Sequence, residues 1–193
     1  PFHGPRSVRP PISLQLPVED PVDTVHAIAQ SVWDTRRLIG WIRGQSDLPV
    51  GVHGLSLGTF SASITAAVEP DLACLIVGVP AVSLSDLYFH HMPKRLRKRA
   101  DIIDFVSDSR DLLSVASPLS VEPLVPRERR FIYAASGDRV TDPITQAERL
   151  WAHWNEPELL WFDGGHVGVA WSGAVSGFVR HALRVAEMLE EEP

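Results

Sequence analysis

The run "LACLIVGV", residues 72–79, most constrains what this chain can fold into. It is continuously apolar rather than alternating, which is the pattern of a β-strand covered on both faces. Such a strand needs helices above and below it. The chain supplies both kinds of segment. "PVGVHG", "RRFIYAAS" and "ELLWF" read as further short strands. Between them lie helical patterns. Asp20 reads as an N-cap with Pro21 at the first helical position and Asp23 in the first turn. Val25, Ile28, Val32, Ile39 and Ile42 then form one apolar stripe that ends near Gly44. "SLGTFSASITAAV", "DPITQAERLWAHW" and residues 174–191 complete the helices. Strands alternating with helices imply a three-layer α/β/α architecture around a mainly parallel sheet.

Two regions depart from that rhythm. The proline-rich opening is expected to be extended, with a short strand at "ISLQL". Residues 83–126 hold amphipathic helices, including "PKRLRKRADIIDFV", and no convincing strand; this length reads as a helical cap inserted over the strand ends. The 193 residues are expected to form one domain containing that insertion.

Composition narrows the function. A formal charge of −6 argues against a general nucleic-acid binder, and the basic run "KRLRKR" reads by default as a solvated helix face. Contact of that run with anionic substrates or membrane headgroups is its less favoured reading. Cys74, the one cysteine, is expected to be buried filler. No apolar run approaches the roughly 18 residues of a membrane span and no leader is recognisable, so a cytoplasmic protein is expected.

Chemistry concentrates in three loops. "GLSLG" places Ser56 between Gly54 and Gly58, where a strand gives way to a helix. Gly-x-Ser-x-Gly in that context fits a sharp turn that lifts a serine above the sheet edge, while an ordinary capped turn is the plain alternative. A serine hydroxyl needs a base, and the base needs orienting. Asp138 follows the strand "RRFIYAAS", and His166 follows "ELLWF" in a loop freed by Gly164 and Gly165. In a parallel sheet all three loops emerge at one edge. Asp142 and Asp86 compete for the acid's place, although Asp142 before Pro143 reads better as an N-cap. His53 reads as a packed neighbour, and the adjacent pair His90-His91 does not share a helix face suited to a metal. Trp33, Trp151, Trp154 and Trp161 read as core or helix packing, with Trp171 near enough to His166 to line a pocket.

On "GLSLG", "SGDRVTDP" and "GGHVG" the chain resembles the α/β-hydrolase superfamily of serine esterases, lipases and peptidases. The resemblance implies Ser56 as nucleophile, His166 as base and then acid, Asp138 as the orienting acid, and the Leu57 N–H as one oxyanion donor. "PFHGPR" is similar to the oxyanion loop of that superfamily, placing the second donor near His3-Gly4. Pro5 has no N–H to give, so Gly4 or Arg6 is the expected donor. Relative to a full α/β-hydrolase sheet the chain is expected to lack the first strands, leaving an edge open to a second copy. The implied activity is hydrolysis of a carboxylic ester through an acyl-enzyme, with no metal or organic cofactor and a small ester or acyl compound as substrate. A peptidase or amidase of the same fold, and a non-catalytic scaffold for binding or assembly, are the alternatives.

Overall fold

The computed structural model describes residues 20–189. The strand expected at "ISLQL", the loop containing Gly4 and Arg6, and the last four residues lie outside them.

Helix α1 (Pro21–Arg43) begins as its sequence dictates, with the Asp20 carboxylate accepting from Val22 N at 2.7 Å and proline at the first helical position. Four strands follow, each ending at the same edge of one sheet. They are β1 (Val52–Leu55), β2 (Leu75–Gly78), β3 (Arg130–Ala135) and β4 (Glu158–Phe162). They lie in chain order and every neighbouring pair is parallel. Parallel neighbours require crossovers, and helices provide them. The crossovers are α2 (Gly58–Val68), then α3 (Leu84–His91) with α4 (Ala100–Ser114), then a π-helical turn running into α5 (Arg149–His153). Helix α6 (Gly173–Val185) closes the chain.

Alternate strand residues sort the core into two layers. Leu75, Val77 and Ile132 pack with Ile39, Ala62, Ala66 and Leu150 of α1, α2 and α5. Ile76, Phe131, Tyr133 and Phe162 pack with Val175 and Ala182 of α6. The expected three-layer α/β/α arrangement is what the chain adopts. Cys74 is buried beside Met188, and burial pushes its thiol up to about 11. No described strand pairs with the outer side of β1. Among the described residues no helix is long and apolar enough to cross a membrane.

Several expectations need correction. The basic run is not part of a helix, because α4 starts only at Ala100 and residues 94–98 form turns. Clustered cations repel one another and oppose the positive end of a helix dipole, whereas Asp101 in the first turn of α4 complements it. Trp33 and Trp161 are exposed rather than core, while Trp154 is fully buried and Trp151 partly so. Trp171 is 79% exposed and is not among the residues lining the cavity beside Ser56. Helix α2 starts at Gly58, with Ser56 left outside in the turn.

The two glycines of the Ser56 turn are not equivalent. A Cβ on Gly54 would meet the Gly58 carbonyl oxygen at 2.6 Å and the Ala62 Cβ at 2.7 Å, because α2 crosses directly over β1 there. A Cβ on Gly58 meets nothing within 4 Å. Gly54→Ala is therefore expected to lower stability by about 1–3 kcal/mol through overpacking. Gly58→Ala should leave it unchanged or slightly raised. Urea denaturation of both variants checks this, and equal losses would remove the distinction.

Candidate active site

Ser56 sits in the turn between β1 and α2 with φ 52°, a left-handed conformation that a non-glycine residue rarely adopts. Neighbouring backbone holds it there. Ser56 N–H donates to Gly78 O at 2.8 Å, and Ser56 O accepts from Thr59 N at 3.0 Å and Ala81 N at 3.3 Å. The hydroxyl is thereby presented above the ends of β1 and β2.

His166 arrives from the loop after β4. Gly164, at φ 150°, opens that loop in a conformation that suits glycine. Its carbonyl accepts from Gly137 N at 3.0 Å, so the loops carrying Asp138 and His166 are joined backbone to backbone. The outcome is a continuous chain of contacts. Ser56 Oγ lies 2.8 Å from His166 Nε2, and His166 Nδ1 lies 2.8 Å from Asp138 Oδ2. The His166 side chain is 16% exposed and that of Asp138 only 2%.

Burial by itself pushes the Asp138 carboxyl up. Hydrogen bonds from His166, from the N–H groups of Thr141 and Val140, and from the Thr141 hydroxyl outweigh it, leaving the carboxyl below its ordinary value of 3.8. The N–H donors lie 3.0 and 2.8 Å from Oδ1, and the hydroxyl 2.8 Å from Oδ2. An ionised Asp138 only accepts, so Nδ1 of His166 carries the proton. Nε2 is then the acceptor for the Ser56 hydroxyl. This is the tautomer that can take a proton from serine.

The rival residues fall elsewhere. Asp142 caps the turn that follows it, accepting from Thr145 N at 3.1 Å. Asp86 pairs with Arg110 at 2.9 Å and Arg149 at 2.6 Å. His53 contacts the Tyr133 hydroxyl at 2.8 Å. His91 donates from Nε2 to Val140 O at 2.8 Å, and no group of three or more His, Cys, Asp or Glu among the described residues could hold a metal. Leu57 is the N-cap of α2, so its N–H precedes the first helical hydrogen bond. Gly4 lies outside the described residues.

Sequence reasoning missed Thr141. Its buried hydroxyl bridges toward Asp138 and, at 3.2 Å, toward Val79 O, and lies 3.3 Å from His166 Nδ1. It also missed Gln146, whose Oε1 accepts from Val82 N at 2.8 Å and Ser83 N at 3.0 Å. Thr141 stands within "SGDRVTDP", but only the closed turn brings its hydroxyl onto the carboxylate. Ser56 opens into a cavity of about 720 Å³ beneath α3 and α4.

No family model matches the chain. Two curated relatives, uncharacterized proteins of Mycobacterium tuberculosis strains H37Rv and CDC 1551, are each 44% identical to it over 191 residues, 98% of this chain. The chain spans 46% of the length of each, about half. An esterase of Pyrococcus furiosus superposes with a TM-score of 0.55 at 18% identity, over 79% of this chain and 61% of that one. An α/β-hydrolase enzyme from a Mar Chica lagoon sediment metagenome gives 0.50 at 17% identity, over 79% and 68%. A monoacylglycerol lipase of Paleococcus ferrophilus gives 0.50 at 14% identity, over 82% and 76%. At these identities the likeness is one of fold.

The depressed Asp138 carboxyl has a testable sign. A group whose pKa is lower folded than unfolded stabilises the fold above its unfolded value, and that contribution is lost as pH falls through the folded one. The Asp138 carboxyl carbon, followed by NMR, is expected to titrate below 3.8 and to move upward in Thr141→Val. A midpoint at or above 3.8 in the parent would overturn the assignment of its hydrogen bonds as the dominant influence.

Proposed function

We propose that this chain, whose fold is that of the α/β-hydrolases, is a serine hydrolase that cleaves a carboxylic ester through an acyl-enzyme. The observation that carries the reading is the unbroken contact from Asp138 through His166 to Ser56, set at the strand ends and open to a cavity.

Each residue has a role in the proposed mechanism. Ser56 Oγ attacks the ester carbonyl while its proton passes to His166 Nε2. Asp138 holds Nδ1 and stabilises the imidazolium that forms. The Leu57 N–H, at the N-terminus of α2, donates to the developing oxyanion. Gly4 is the proposed second donor. Collapse of the tetrahedral species breaks the bond to the leaving alcohol, which takes the proton from His166. Water then repeats the cycle, giving up a proton to His166 and releasing the acid with Ser56 restored. Helices α3 and α4 serve as the cap in this reading.

Among the described residues no strand pairs with the outer side of β1, and pairing there with a strand from another copy of the chain is a further part of the proposal. Matched ester and amide substrates separate an esterase from an amidase of the same fold.

Fluorophosphonate labelling tests the reading. The parent is expected to label at Ser56, and both Ser56→Ala and His166→Ala should abolish labelling. Each should lower kcat on a p-nitrophenyl ester by about 10⁴–10⁶-fold, and Asp138→Asn by about 10⁴-fold, because a misplaced tautomer disables the base. A well-folded parent that neither labels nor turns over would overturn the assignment in favour of a non-catalytic scaffold.

A further inference from the structure

Resting on the serine hydrolase reading, we infer that the acyl group accepted at Ser56 is an uncharged aliphatic chain of medium length, buried beneath α3 and α4, rather than an acetyl or a charged acyl group.

The cavity next to Ser56 carries the inference. Its volume of about 720 Å³ lies within the range of built small-molecule sites and far exceeds what an acetyl group fills. Two helical stripes make its walls. Leu84, Leu87, Tyr88 and Met92 face it from α3 and the residue just beyond, and Phe105, Val106 and Leu113 face it from α4. Ala81 and Leu57 lie beside the serine. None of the lining residues is Asp, Glu, Lys or Arg. The charges of the same helices are spent on another side. Asp86 pairs with Arg110 and Arg149 in a separate, polar depression lined also by Ser83 and Ser114.

The polar side chains on the wall besides Ser56 are Thr24, Ser85, Tyr88, His91, Ser109 and Thr141, none of them a carboxylate, ammonium or guanidinium. Ser85 is buried with its hydroxyl 3.3 Å from that of Ser83, and Ser109 is buried on α4. His91 is engaged with Val140 O at the rim. A carboxylate or ammonium on the acyl tail would therefore be desolvated without an opposite charge, at a penalty the site does not offset. An aliphatic tail gains with every methylene buried, equivalent to about a three- to fourfold rise in binding per carbon.

A panel of p-nitrophenyl esters from acetate to laurate, with the hemisuccinate as charged control, tests this. The value of kcat/KM should climb about three- to fourfold per methylene from acetate to a maximum near octanoate, and the hemisuccinate should fall at least tenfold below butyrate. Ser109→Leu and Val106→Phe, which fill the cavity from two places on α4, should each move the maximum to a shorter chain. Calorimetry of Ser56→Ala with the octanoate and acetate esters reads the cavity without turnover, and octanoate should bind at least tenfold more tightly. Equal affinity there, or acetate as the preferred substrate of a parent that labels, overturns the chain-length inference and leaves the hydrolase reading standing. Tighter octanoate binding by a parent that does not label overturns the hydrolase reading and retains the apolar cavity. Loss of both overturns both.

Discussion

The close approach of α2 to β1 at Gly54 is the constraint on which the rest of the site depends. With a Cβ excluded at that position, the chain reverses from strand to helix within the residues Ser56 and Leu57. Ser56 is forced to φ 52°, a conformation that disfavours an L-residue by roughly 1–2 kcal/mol. Its N–H and carbonyl are each engaged by neighbouring backbone, and net contributions near 1 kcal/mol per hydrogen bond are of the size needed to offset the strain. Strain held by its surroundings in this way points the hydroxyl outward and keeps it from rotating into the helix as an ordinary cap.

The other two loops are tied to each other through backbone rather than through long side chains. Ser136 N continues the β3–β4 ladder to Phe162 O at 3.0 Å, and Gly137 N extends it to Gly164 O. A Cβ at Gly137 would lie 2.9 Å from that same carbonyl, so the loops approach as closely as two backbones can. On the other side, Val79 at φ 40° turns its carbonyl toward the Thr141 hydroxyl, while its N–H is held by Tyr133 O at 2.8 Å. A β-branched residue at positive φ is a strained feature, and it lies where the chain leaving β2 for α3 passes against the Asp138 loop. The distances among Ser56, His166 and Asp138 thus follow from ladder geometry continued past the strand ends.

Much of this was legible in the residues, and the reasons differ from element to element. The run through Leu75–Gly78 could only be a strand covered on both faces, and Asp20-Pro21 could hardly mark anything but a helix start. Ser56, Asp138 and His166 were legible because each stands in a glycine-bearing loop after a strand, and a parallel sheet sends such loops to one edge. Thr141 and Gln146 were not: the Thr141 hydroxyl reaches the Asp138 carboxylate only once the turn closes, and Gln146 accepts from two N–H groups 63 and 64 positions away. Trp33 and Trp161 misled because large aromatic residues are usually buried, yet each lies on the outward side of its element. The basic run misled because helical periodicity carries no information about like-charge repulsion at a helix start.

Helices α3 and α4 are held unevenly, and this bears on how the cavity is made. Their root is fixed by Gln146, whose buried carbonyl oxygen takes two backbone N–H groups where β2 leaves the sheet. The Ser117 hydroxyl adds a bond to Val82 O at 2.7 Å at the returning end. Leu84 of α3 and Leu113 of α4 pack with Ile28 and Phe60, and farther out the contacts include the His91 bond to Val140 O and the partly exposed Asp86 ion pairs. Exposed pairs of that kind contribute about 0–1 kcal/mol each and weaken with salt. Only Val106, Ser109 and Leu113 of α4 are buried, so its first turn is held by little apolar contact. Segments with few buried apolar contacts open at low free energy. The serine side of the cavity therefore stands on the sheet edge, and the α3–α4 side, with fewer buried apolar contacts in the first turn of α4, is the side better able to adjust.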